Sequence, residues 1–233
     1  MISSPGDDGL DWDRGWQGNV QFLIVTQKDS TEVGDNGFEA DNWEEDHDAT
    51  PRSMPSIYNV TMVGSGNPDA GNRGMTIRRG TGAKIRNLIM QGFPKESVDL
   101  RDVETVALLD DGEGTGDLSF DYMMVYDVGE GGNSWFSDEP VDPKDEDDDD
   151  GGYVEEDYFT SRENISFGAN PKLPAEAYDD VNPDFVPALD SPAMEGTSPP
   201  QGEIWDDAAD FIGAVRPGDT NPWYAGWTEF PEN

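Results

Sequence analysis

An asparagine followed at once by one apolar residue, and two positions later by another, recurs along this chain. Asn19 precedes Val20 and Phe22, Asn59 precedes Val60 and Met62, Asn87 precedes Leu88 and Met90, and Asn164 precedes Ile165 and Phe167. Asp121, close to asparagine in shape, precedes Tyr122 and Met124. Apolar residues two apart line one face of a strand. Asparagine is also well suited to a left-handed backbone turn. Each unit therefore reads as a tight bend followed by a short strand with one buried face. Asn59 and Asn87 are separated by the length of one parallel β-solenoid turn, and the wider intervals suit a turn carrying an inserted loop. Stacked turns bury an apolar channel that no single turn can bury alone. The competing reading is a β-sandwich, which also places short strands between turn signals.

Charge narrows the range of partners. The chain carries 51 acidic residues against 14 basic ones, a formal net charge of -37 at pH 7. Nucleic-acid binding needs Lys and Arg to displace counterions, so nucleic acid is not expected as a partner. Anionic membrane surfaces are disfavoured for the same reason, and no stretch approaches the ~20 apolar residues of a membrane span. The balance favours solubility, cation binding or high-salt surroundings. There is no cysteine, which excludes disulfides and thiolate metal sites.

The opening Gly9-Leu-Asp-Trp-Asp-Arg-Gly-Trp-Gln-Gly18, followed by Gln21 and Phe22, carries a resemblance. So do Ala49-Thr-Pro-Arg-Ser53, the run from Pro55 to Gly66, Arg78-Arg-Gly80, Phe211-Ile-Gly-Ala-Val-Arg-Pro217 and Trp223-Tyr-Ala-Gly-Trp227. In this order they resemble the C-terminal portion of large bacterial surface and secreted proteins of the pectate-lyase-like superfamily. The resemblance covers most of the chain outside the acidic stretch near 137–157. It implies a right-handed parallel β-helix with three short strands per turn, an extracellular or cell-surface location, and no particular activity. Members usually carry further turns upstream, so upstream β-helix turns are expected to be missing from this chain. The edge at residues 10–25 is then expected to be open. The fold prediction is all-β: a right-handed parallel β-helix over 1–175, with acidic loop insertions at about 26–52 and 137–157. An irregular segment, 176–233, packs along the helix and caps it. Val20, Val60, Leu88, Tyr122 and Ile165 are expected to stack inside, and Trp223, Tyr224, Trp227 and Phe230 to close the last turn.

Two acidic stretches are candidate Ca2+ sites, since hard cations take several carboxylate and carbonyl oxygens. The first contributes Asp35, Glu39, Asp41, Asp46 and Asp48. The second, Glu146-Asp-Asp-Asp-Asp-Gly-Gly-Tyr-Val-Glu-Glu-Asp157, overlays a calcium loop imperfectly and contributes Asp148, Asp150 and Asp157. Both stretches also read as solvated acidic chain. His47, the sole histidine, has no Gly-x-Ser-x-Gly elbow to serve and reads as a surface residue. The run Gly112-Glu-Gly-Thr-Gly116 lacks the Lys of a phosphate loop and reads as a turn. Arg78, Arg79 and Arg86 form the basic cluster, suited to pairing with surrounding acids or to a sugar carboxylate.

Two functions follow. The first is a non-catalytic, structural, adhesive or glycan-binding surface protein stabilised by divalent cations, with a polysaccharide or surface partner. The second is a polysaccharide lyase or glycoside hydrolase on the same fold, with Asp8, Asp11 and Asp13 as candidate carboxylates. An enzyme should bring carboxylates from adjacent turns together with Arg78 or Arg86.

Overall fold

A computed structural model describes residues 1–111, 115–137, 149–226 and 228. Gly112 and Gly114 of the glycine run, Asp148 of the second acidic stretch, and Trp227 and Phe230 lie outside the described residues.

Among the described residues the strands form two parallel sheets, and the chain alternates between them. Sheet A contains β1 (Ile2–Ser3), β3 (Asn19–Thr26), β5 (Ser56–Val63), β7 (Ala83–Gln91), β9 (Leu118–Tyr126) and β10 (Ile165–Phe167), in that order. Sheet B contains β2 (Leu10–Trp12), β4 (Asn36–Ala40), β6 (Arg73–Ile77) and β8 (Val98–Leu100). Each pass through sheet A up to β7 is followed by a pass through sheet B, the connectivity of a parallel β-helix. Two strands per turn, rather than the expected three, lie in these sheets.

The bends sit inside the sheet A strands. Phe22, Asn59, Asn87 and Tyr122 form one register column and all have left-handed backbones, with φ of 60°, 56°, 57° and 54°. The extra residue at the bend lets three positions per strand face inward. One column is Val20, Ile57, Ile85 and Phe120, and the next is Leu23, Val60, Leu88, Met123 and Ile165. A third is Val25, Met62, Met90, Val125 and Phe167. All of these side chains belong to or pack against one apolar cluster. The expected column is corrected at two places. Val20 faces inward one slot earlier than expected because the first bend falls at Phe22, not Asn19. Tyr122 is itself a bend residue and packs on the outer face, with Met123 taking the inward position.

Asn59 and Asn87 are fully buried, and their amides explain why asparagine stands there. Asn59 Nδ2 donates to the carbonyls of Ala209 (3.1 Å) and Phe211 (2.8 Å). Asn87 Nδ2 donates to Thr197 O (2.7 Å) while its Oδ1 accepts from Thr197 N (2.8 Å). Gln21, beside the bend at Phe22, exchanges two hydrogen bonds with Asp206. The irregular C-terminal segment is thus laced across the outer face of sheet A. Without these partners the segment's buried carbonyls would each cost about 1–3 kcal/mol. Asn59-Val-Thr61 matches the N-glycosylation acceptor sequence, and burial of Asn59 removes it from reach of glycosylation in the folded chain.

Two expectations change. Residues 26–52 are not only a loop: they contain β4, whose Phe38 and Ala40 are fully buried. Trp223 and Tyr224 do not lie on the last turn. They pack with Ile24, Val63 and Phe185 on the outer face of sheet A near its first strands. The far end of the core is covered instead by α2 (Glu155–Thr160). Phe159 of α2 sits 5.0 Å from Phe120 and 5.6 Å from Phe136, ring centre to ring centre. No helix of the described residues is long and apolar enough to cross a membrane.

Candidate functional site

Sheet B carries the polar face. Its register sets Asp11 beside Glu39, Glu39 beside Thr76, and Thr76 beside Asp99. Leu10, Trp12, Phe38, Ala40, Met75 and Ile77 alternate with them and face the core. A two-residue period on short strands therefore sorts Asp11, Glu39, Thr76 and Asp99 into one row on the face away from the core.

At the β2–β4 end of this row the carboxylates crowd. Oxygens of Asp8, Asp11 and Glu39 lie within 4.8 Å of one another, as do those of Asp7, Asp8 and Asp35. Asp8 belongs to both groups, and its Oδ1 is held by Asn36, which donates through its backbone N (2.8 Å) and its Nδ2 (2.7 Å). Burial, then the charge of Asp8, raises the pKa of Asp11 and Asp35. Burial also pushes Glu39 up to about 7, with Asp8, Asp41 and Asp11 adding to it against the pull of Arg78. Together these groups form a site of negative potential that Arg78 and Arg73 offset only in part.

Towards β6 and β8 the acids are neutralised. Arg78 reaches Glu39 Oε1 at 2.6 Å and Asp41 Oδ1 at 2.8 Å, and Arg79 reaches Asp41 Oδ2 at 2.7 Å. Arg101 pairs with Asp99 at 2.9 Å, and Arg73 with the buried Glu96 at 2.9 Å.

Of the residues expected to bind metal, Asp35 and Glu39 join these clusters, with Asp8 and Asp11 from the set considered for catalysis. The other described residues of that set are not gathered there. Asp41 is held by two arginines. Asp46 accepts from Asp48 N, and Asp48 pairs with Arg52 at 2.9 Å. Asp150 accepts from the backbone of Gly152 and Tyr153, and Asp157 lies in the first turn of α2. Asp13 pairs with the adjacent Arg14 at the surface. Arg86 is on sheet A, paired with Asp121 at 2.7 Å, so the basic cluster of the sequence is split between the two sheets. Asp7 was not anticipated. Its signal was the doublet Asp7-Asp8 standing just before the alternating Leu10-Asp11-Trp12.

The two parallel sheets, visited alternately by the chain, agree with what the sequence matches. A family model described as a pectate-lyase-like β-helix domain matches residues 1–136. The chain belongs to this family. Within the family fold, the matched region holds β1 to β9, and so includes the whole carboxylate cluster and the arginines beside it. Neither a curated protein nor a solved structure matches the chain.

Proposed function

We propose that this protein is a non-catalytic β-helix of the cell surface or secreted space, which binds a glycan through a divalent cation held on sheet B. The supporting observation is the convergence of Asp7, Asp8, Asp11, Asp35 and Glu39 at the β2–β4 end. Ca2+ takes 6–8 oxygens, several from carboxylates, and tolerates irregular geometry. A bound ion could bridge these acids to the hydroxyls or carboxylates of a sugar lying along the row. Arg78, Arg79 and Arg101 are engaged with acids of their own, which suits holding a fixed charged surface more than moving a proton. The coil is taken as right-handed, as about 98% of parallel-strand crossovers are.

Glycosidase chemistry is the second reading, favoured by one observation. Glu39, raised by burial to about 7, stands beside Asp11, whose carboxyl burial also raises. A carboxyl held protonated to higher pH beside a second carboxylate is what a general acid and its nucleophile or base require.

A polysaccharide array probed with and without millimolar Ca2+ at matched ionic strength tests both. Binding that needs Ca2+, disappears in Asp8→Asn and leaves the glycan intact is the expected result. Glycan shortening that stops in Glu39→Gln would establish the enzyme instead.

A further inference from the structure

We propose that His47, Asp102 and Glu104 form a three-ligand site for a borderline divalent metal of the Zn2+ class, separate from the carboxylate cluster between β2 and β4. The three residues come from two distant places in the chain. His47 lies in the turn between β4 and β5, where Asn42 Nδ2 (3.1 Å) and Arg52 Nη1 (3.0 Å) donate to its carbonyl. Asp102 and Glu104 begin the short helix α1 (Val103–Val106) that follows β8. His47 Nδ1 is 3.4 Å from Glu104 Oε2 and 3.9 Å from Asp102 Oδ1. A tetrahedral ion with bonds of ~2.0–2.2 Å sets its ligand atoms about 3.3–3.6 Å apart, so only small shifts would admit one.

The outer partners suit ligation. Asp102 is buried, and its carboxylate accepts from Thr105 N (2.7 Å), Thr105 Oγ1 (3.1 Å) and Arg79 N. Hydrogen bonds of this kind fix a carboxylate ligand's orientation. Glu104 is 40% exposed at its side chain and His47 17%, leaving the fourth position on the solvent side. An imidazole among the ligands selects Zn2+, Ni2+ or Cu2+ over Ca2+, which prefers oxygen alone. The competing account is a plain ion pair fastening the 42–53 turn to α1, and it predicts no ordered metal.

The test is a titration of the full chain with Co2+, a coloured substitute for Zn2+, in saturating Ca2+ to occupy the carboxylate cluster. One Co2+ per chain with the visible bands of a four-coordinate ion is expected, bleached by added Zn2+. His47→Ala should abolish the bands. Glu104→Gln, at an exposed position, should weaken binding at least tenfold, and it decides the matter if His47→Ala fails to fold. Absence of the bands in the wild type, or equal Co2+ affinity in the wild type and the folded variants, would overturn the site.

Discussion

Replacing Asp110 by alanine should lower the stability of this protein by about 3–5 kcal/mol, the cost of leaving a buried charge without its partner. Asp110 is 7% exposed and lies just before the chain re-enters sheet A. Tyr158 of α2 donates its hydroxyl to Asp110 Oδ1 at 2.6 Å. Arg162 Nη1 donates to Asp110 Oδ2 at 3.2 Å, and its Nη2 donates to Asp110 O at 2.9 Å. The Arg162 guanidinium also lies 4.3 Å above the Tyr158 ring. Burial alone would raise the pKa of Asp110, but the hydrogen bonds from Arg162 and Tyr158 and the charge of Arg162 hold it below the usual value. This knot pins α2 over the aromatic end of the core. Urea unfolding of Asp110→Ala should show the midpoint moving and the slope unchanged. Asp110→Leu with Arg162→Met should recover much of the loss, because neither buried charge remains. A loss under about 1 kcal/mol in Asp110→Ala would mean that the ion pair does not hold the end cover, and that apolar packing alone does.

Stability should fall as pH rises from about 4.5 to about 7, the reverse of ordinary carboxylate behaviour. Glu39, Glu96 and Glu155 are each raised from 4.5 to about 7, in every case chiefly by burial. For Glu96 the neighbouring Asp99 adds to burial, and together they outweigh its bond to Arg73. A raised folded pKa means that the folded state keeps its proton where the unfolded chain has lost it. The contribution is therefore complete below about 4.5 and is lost as pH climbs through about 7. Glu96 should account for about 2–3 kcal/mol of this change, while Glu39 and Glu155, better solvated, contribute less. Rising self-repulsion in so acidic a chain acts in the same direction. Melting temperatures measured from pH 4.5 to 8 at high, constant ionic strength should decline, and Glu96→Gln should flatten the decline. A protein that melts higher at pH 8 than at pH 5 would contradict these protonation states.

How much of this was legible in the sequence depends on what each residue does. Asn59 and Asn87 announced both the bend and the inward residues after it, because a buried left-handed position that must also bond a crossing chain favours asparagine. Phe22 and Tyr122 occupy the same slot in left-handed backbones with no such mark in the sequence. That shifted the expected column at the first and fourth bends. β4 was hidden among acids: Phe38 and Ala40 are its inward apolar pair, and the Glu39 and Asp41 that mask them are the outward face. The cation cluster was half visible. Asp35 and Glu39 could be named from local acid density, but the register that delivers Asp8 and Asp11 to them crosses more than twenty residues of chain. Trp223 and Tyr224 pack on a different surface from the one expected, because composition says that such rings are buried, not where.

A calorimetric titration with Ca2+ near pH 6.5, at fixed ionic strength and in two buffers of different ionisation enthalpy, tests the central claim most directly. Asp8 is shared by both carboxylate groups, and burial raises Glu39 to about 7, so near pH 6.5 an incoming cation should release protons from it. The wild type should bind Ca2+ stoichiometrically, with an apparent heat that differs between the buffers because protons are released. Asp8→Asn should lose the binding and the buffer dependence together. Equal, weak and buffer-independent heats in the two proteins would mean that the acids of sheet B are merely solvated, and that no cation site organises this face.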